Sequence, residues 1–386
     1  MLNEDALGAD VGSVLERIRA AAPAWRERAH AAEVAGSIAR ETAIEVSATG
    51  AIQLLQPANF GGSESGMVAH SYAMSVIGEA CMSTAWCAGV WGAHNWMLAH
   101  FAESGQARIW GDDPTARISA SILPTTHLET DAEGNVLVKG RFNFTSGCDH
   151  AHWFGAGGLL DPEGKPNPVI TMFPADHSLI DHDSWDVAGL AGTGSKDVVV
   201  DEPIVVPMDM TISYIDTLSR STPGLALNTS PIYRSPFRPA AALVLAGPAV
   251  GAARGSVARF VELSASKTGP GISARIALAS SLADAAETVL LQAAADLDHL
   301  GTLDSPTRVQ AARIYRDTAQ AVRLAAEAVD VVFEAAGGAA LRRTEPIQRA
   351  WRDVTASRNH RVLSWDAAAD EFGSATLEEC RAQTTP

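Results

Sequence analysis

Between residues 114 and 210 the chain changes its hydrophobic period, and that change limits what it can fold into. The β-favouring runs VLVKGRFNF, PVITMFP and DVVVDEPIVVP lie there, separated by Gly, Asp, Asn and Pro turns. They predict a small, mainly antiparallel sheet region. On either side, apolar residues recur at three- and four-residue spacing, the helical period. Strands and helices do not alternate, so a Rossmann or P-loop architecture is not expected. At 386 residues the chain is too long for one simple core. Three domains are expected: helical over 1–113, sheet over 114–210 and a helical bundle over 211–386.

The first helical part predicts helices over 14–35 and 37–49, with Pro23 breaking or kinking the first. A Gly-, Ser- and Pro-rich loop follows over 56–66. One helical pattern then resumes over 67–101, carrying Trp86, Trp91 and Trp96. After a Pro/Ser/Thr-rich connection over 221–239, a long helix is predicted over 307–336, stopped by Gly337-Gly338. Such Ala-rich helices pack closely and build bundles, including across subunits.

A formal charge of −16 argues against a nucleic-acid partner, whose phosphates need clustered Lys and Arg. The N-terminal MLNEDALGADVGS lacks the apolar core of a signal peptide. The most apolar run, 240–253, is short and contains Pro248, so no membrane span is expected. Four irregularly spaced cysteines give no disulfide framework, and a cytoplasmic location is expected.

RFNFTSGCDHAHW, residues 141–153, reads as a half-buried strand that breaks at Ser146-Gly147 into a polar turn. A turn at a strand end offers a hydroxyl and backbone N–H groups to a flat cofactor, or a serine that merely caps its own backbone. Cys148, His150 and His152 share one face of an extended chain, but no second Cys/His pair accompanies them and no metal is expected. Gly192-Thr193-Gly194-Ser195-Lys196 has the wrong order for a P-loop. Cys87, Trp91 and His94 share one helix face, which could line an aromatic pocket or be core. Trp86, Trp91 and Trp96 form no single stripe, since five-residue steps rotate by about 140°. Ser119 and Ser121 alternate in RISASILP and could face a ligand or be the polar side of a strand. His360, flanked by Arg358, Asn359 and Arg361, reads either as a surface residue or as an acid–base group.

Two segments bring in a known family. Gly337-Gly338 followed by RRTEPIQRAWRD, and WDVAGLAGTGSKDVVVDEPIVVP, resemble the acyl-CoA dehydrogenase superfamily, and the resemblance spans essentially the whole chain. Two departures matter more. ISASILPTTHLE stands where a Thr-Glu-Pro-like turn is usual, and VTASRNHRVLSWDAAADEFG carries His360 where a catalytic Glu loop is usual. These substitutions resemble the group D two-component flavin monooxygenases, which act on phenolic, indolic and sulfur-heterocyclic compounds.

The resemblance implies an N-terminal helical domain, a central antiparallel β-domain and a C-terminal four-helix bundle. It also implies an oxygenase component that takes reduced flavin (FMNH2 or FADH2) from a separate NAD(P)H:flavin reductase. With O2, through a C4a-(hydro)peroxyflavin, it would hydroxylate a small aromatic substrate, in a homotetramer. Ser146 is then the hydroxyl at flavin N5, beside Gly147. Ser119 and Ser121 contact flavin, and Arg234 in PIYRSPF approaches its N1–C2 side. Trp91, His94 and Ser121 meet the substrate, and His360 and His94 join Ser146 in catalysis. An acyl-CoA dehydrogenase or oxidase holding FAD with a relocated base, and a non-catalytic member of the fold, stay open as alternatives.

Overall fold

The computed structural model describes residues 4–161, 165–265 and 270–384. Five helices come first: α1 (Ala9–Ala35), α2 (Arg40–Thr49), α3 (Gly66–Gly78), α4 (Met82–Leu98) and α5 (Glu103–Trp110). Pro23 lies inside α1 and does not end it. The turns beyond it are held from outside: Trp25 Nε1 donates to Glu45 of α2 at 2.8 Å, and Arg28 pairs with the same carboxylate at 2.7 Å. These contacts offset the hydrogen bond that proline cannot make.

The single helical pattern expected over 67–101 is two helices, broken where Cys81 is extended. The break is a packing effect. Gly78 comes so close to helix α8 (Gly247–Ser264) that an added Cβ would stand 2.7 Å from the Pro248 carbonyl oxygen. Next to it, Glu79 pairs with Arg254 of α8 at 2.8 Å. The start of α3 is capped from a distant helix, α9 (Pro270–Thr302). Asp298 accepts the Met67 N–H at 2.9 Å and the Val68 N–H at 3.3 Å, satisfying donors that a helix start leaves free. Burial pushes this carboxyl up to about 6.

Seven strands follow: β1 (Ile118–Thr130), β2 (Val136–Thr145), β3 (Trp153–Leu160), β4 (Asn167–Pro174), β5 (Ile180–Asp181), β6 (Lys196–Val206) and β7 (Thr211–Ser213). They form one sheet in the order β5-β6-β2-β1-β3-β4-β7. It is antiparallel except at β1 and β3, which run parallel, with Ile118 opposite Trp153 and a register slip between Ser121 and Thr126. The sheet runs past the expected boundary at 210, because β7 pairs with β4.

The remainder is helical: α6 (Tyr214–Ser219), α7 (Phe237–Leu243), α8, α9, α10 (Arg308–Ala336), α11 (Pro346–Arg358) and α12 (Trp365–Thr384). α10 begins at a capping box, with Thr307 and Gln310 each bonding the other's backbone, and ends at Gly337 with φ 63°. The bundle of α8 to α11 does not stand apart. One apolar core joins Trp86 and Val90 of α4, Phe142 and Phe154 of the sheet, and Val250, Leu290 and Val329 of the bundle.

Burial without a charge partner pushes His70, His94, His100 and His360 down to about 4, from an ordinary 6.5. Between these values the unfolded chain binds protons that the folded one refuses, so stability is complete above pH 6.5 and falls on acidification. Asp298 and Asp353, both pushed up to about 6 from 3.8, act in the opposite sense. Four groups outweigh two. The urea midpoint should therefore drop between pH 7 and pH 5, and replacing His70 or His100 by Gln should flatten the drop. A midpoint that rises on acidification would contradict this.

Candidate active site

β2 ends in a tight turn that sits on α4. Phe144 has φ 60° and Gly147 φ 71°, so the chain turns sharply on either side of Ser146. A Cβ on Gly147 would stand 2.9 Å from Trp91 Nε1, which leaves room for hydrogen only. The Gly147 N–H donates to the Thr193 carbonyl at 2.9 Å and is therefore spent inside the protein. This ties the turn to the 190–195 loop, the segment that resembled a misordered P-loop.

That loop is clamped from the bundle. Leu190 N–H donates to Asp353 of α11 at 2.6 Å, and Arg352 donates to the Ala188 carbonyl at 2.8 Å while pairing with Glu33 of α1. Clamped there, it delivers two hydroxyls beneath Ser146. Ser146 Oγ lies 2.7 Å from Ser195 Oγ, which lies 2.7 Å from Thr193 Oγ1, which donates to the Leu190 carbonyl at 2.7 Å. From the other side, Trp86 Nε1–H donates to Ser146 Oγ at 3.2 Å.

The same indole meets His360. The rings of Trp86 and His360 pack edge to face with centroids 5.5 Å apart, so residues 146 and 360 reach one place through a tryptophan. His360 follows α11 and takes the Val362 N–H on Nδ1 in a long 3.4 Å contact. Its ring is neutral, pushed down to about 4 by burial, so the proton of that tautomer sits on Nε2.

One face of α4 leads on from Trp86 through Val90 and His94 to Met97, steps of three and four residues. The last three of these wall an apolar cavity of about 60 Å³, closed by Ile122 of β1 and by Phe237 and Val244 at α7. His94 Nδ1 lies 2.8 Å from the Ile118 carbonyl, which can only accept. The imidazole is thus neutral with its proton on Nδ1, in keeping with a pKa pushed down to about 4 by burial. Its Nε2 is left with a lone pair.

Residues 243–365 match the family model "Acyl-CoA dehydrogenase, C-terminal domain". The oxygenase subunit HsaA of a flavin-dependent monooxygenase from Rhodococcus jostii (strain RHA1) is 34% identical over 373 residues, covering 93% of this chain and 97% of that one. The crystal structure of HsaA from M. tuberculosis superposes with a TM-score of 0.90 at 34% identity, covering 96% of this chain and 98% of that one. The oxygenase component of an FADH2-dependent resorcinol hydroxylase from Rhizobium sp. (strain MTP-10005) is 30% identical over 383 residues, covering 94% and 93% of the two chains. The chain belongs to the family of flavin-dependent monooxygenase oxygenase subunits. The fold is acyl-CoA dehydrogenase-like, the protein is an oxidoreductase, and the dehydrogenase and non-catalytic alternatives fall away.

Within this oxygenase the other expected residues take varied places. Trp91 does not line the apolar cavity: its ring is fully buried and its N–H donates to Ser119 Oγ at 3.2 Å. Ser119 is fully buried as that acceptor, and Ser121 is half-buried just before the register slip. Cys87 points to the Thr193 carbonyl at 3.5 Å. Arg234 stands at a second cavity, about 370 Å³, beside Arg220 and Asn228, and is 3.7 Å from Asp304. It joins neither the hydroxyl row nor the apolar cavity. Cys148, His150 and His152 diverge, to the Gly194 carbonyl, the Ile38 carbonyl and Arg117 respectively.

Trp86, Thr193 and Ser195 are the site residues that sequence reasoning passed over. For Thr193 and Ser195 the signal was present in the Thr-Gly-Ser segment, which was read against a phosphate loop and as a family resemblance, with no role given to its hydroxyls. The turn gives a direct check. Gly147→Ala should cost about 1–3 kcal/mol in urea unfolding, from positive-φ strain and overpacking against Trp91. Wild-type stability in that variant would mean that the turn does not sit on the indole.

Proposed function

We propose that the protein hydroxylates a small phenolic or indolic ring, drawing FMNH2 or FADH2 from a separate NAD(P)H:flavin reductase. The observation that carries the reading is His94: a neutral imidazole with its Nε2 lone pair free, at the wall of an otherwise apolar cavity. Such a group accepts a hydrogen bond from the O–H of a phenol or from a ring N–H and so orients the ring. The names of the relatives agree in class, since one is a resorcinol hydroxylase.

The residues present fit a reduced flavin. Ser146 keeps a lone pair free at the strand end, Trp86 offers an aromatic wall, and apolar side chains continue along α4. Bound there, the flavin would supply the electrons with which O2 is activated. The protein's part is to hold and to exclude. Ser146 Oγ would anchor the flavin edge, and the apolar walls would keep water out. His94 Nε2 would accept a hydrogen bond from the substrate's O–H or ring N–H, and His360 Nε2–H would donate a hydrogen bond on the side of Trp86.

The cavity holds about 60 Å³, whereas ligand pockets usually offer roughly 300–1,000 Å³. Ring entry must therefore move its walls. Phe237 and α6 are the parts to move: Tyr214 of α6 packs edge-on against Phe237 and donates to the Ile122 carbonyl at 2.6 Å.

Two further features go with the reading. α9 is apolar along much of its length, yet it leaves Leu278 exposed in the single chain. A homotetramer formed through the bundle would cover that face. A cytoplasmic location suits an NAD(P)H-fed reductase and four free cysteines.

With a panel of phenols and indoles, product formed per reduced flavin consumed measures coupling. His94→Ala and His360→Ala should each lower that yield at least about tenfold, with hydrogen peroxide released instead. Unchanged coupling in both would remove these roles. Light scattering should give a mass four times the 40.4 kDa chain, and a monomer would remove the tetramer.

A further inference from the structure

Three hydroxyls stand in a row behind the proposed flavin edge, and their protons can be counted. Each hydroxyl has one proton to donate and two lone pairs. Thr193 Oγ1 is 2.7 Å from the Leu190 carbonyl oxygen, and a carbonyl only accepts, so the Thr193 proton is spent there. In the 2.7 Å contact with Ser195 the donor must then be Ser195. Its proton spent in turn, the donor in the 2.7 Å contact between Ser146 and Ser195 must be Ser146. Trp86 Nε1–H fills one Ser146 lone pair at 3.2 Å. What Ser146 can still offer is one lone pair and no proton.

From this polarity we infer that Thr193 and Ser195 are positioning residues that leave Ser146 only an acceptor toward the flavin and so make the site select reduced over oxidised flavin. The inference rests on the reading that places Ser146 at flavin N5. Reduced flavin carries a hydrogen on N5 and satisfies such an acceptor. Oxidised flavin presents a bare nitrogen there, and two lone pairs would face each other in a buried site. Reversing the row would turn the Ser146 proton outward, at the cost of the hydrogen bond from Thr193 to Leu190. The selectivity contributed by the row is therefore that of about one hydrogen bond, roughly tenfold.

The test is anaerobic titration of the full chain with FMN and with dithionite-reduced FMN, repeated with FAD, in wild type and variants. Wild type should bind the reduced form tighter. Thr193→Val removes the anchor, leaves Ser195 free to donate to Ser146, and turns the Ser146 proton toward the flavin. It should weaken reduced flavin and tighten oxidised flavin, lowering the ratio of the two dissociation constants about tenfold or more. Ser195→Ala should shift the ratio in the same sense, and so serves if the valine variant does not fold. Ser195→Thr, which keeps the hydroxyl, should retain the wild-type ratio. An unchanged ratio in Thr193→Val or Ser195→Ala, or equal weakening of both redox forms, would overturn the inference, since structural damage does not distinguish them. If wild type binds neither form, the reading of Ser146 at flavin N5 fails first.

Discussion

The contact on which the rest of the site depends is the seating of the Ser146-Gly147 turn between α4 and the 190–195 loop. A glycine there lets the backbone lie against Trp91, and that closeness brings Ser146 within reach of Trp86 on one side and Ser195 on the other. Neither partner belongs to the strand that carries the serine. The loop that supplies Ser195 is itself held by Arg352 and Asp353 of the bundle. Three regions of the chain thus meet at one hydroxyl, which explains why they share a core instead of folding as separate bodies. A shift in any of them would be felt at Ser146.

The chemistry follows from dryness combined with fixed polarity. His94 is buried and His360 half-buried, neither with a carboxylate partner, and desolvation lowers the pKa of both and keeps them neutral. They are neutral in opposite ways. The Ile118 carbonyl holds the His94 proton on Nδ1 and leaves Nε2 to accept, whereas the Val362 N–H on His360 Nδ1 places the proton on Nε2. One ring is set to accept a hydrogen bond and the other to donate one, without either having to titrate. The hydroxyl row behind Ser146 uses the same device, in which a backbone carbonyl decides which way a side chain points.

Much of this was legible in the sequence where local signals were strong. The 307–336 helix is read to within a residue from its apolar spacing and the stop at Gly337-Gly338, and the structure adds the Thr307–Gln310 capping box at its start. The β-runs and the polar turn at Ser146 declare themselves by period and by glycine. The break between α3 and α4 does not, because it arises from Gly78 packing on α8, and hydrophobic spacing runs on across it. The parallel pairing of β1 with β3 is likewise a long-range fact. Trp91 was grouped with His94 by helical spacing, but that spacing cannot say which edge of a helix faces a cavity and which faces core. Trp86 was passed over for the same reason. Ser195 was weighed as part of a phosphate loop and of a family segment, and Arg234 as a family motif or an exposed loop residue. Ser146, which gives Ser195 its place in the site, lies 49 residues away in the chain, and Asp304 lies further from Arg234, beyond the reach of pattern.

The central claim is that this site transfers one atom of dioxygen to an aromatic ring at the expense of reduced flavin. Anaerobic loading with reduced flavin and a phenol, followed by heavy-isotope dioxygen and mass spectrometry of the product, tests it most directly. The account predicts a hydroxylated ring carrying one labelled oxygen atom, and no product when oxidised flavin is supplied. Product labelled from water, or reduced flavin and oxygen yielding only hydrogen peroxide across phenols and indoles alike, would contradict it.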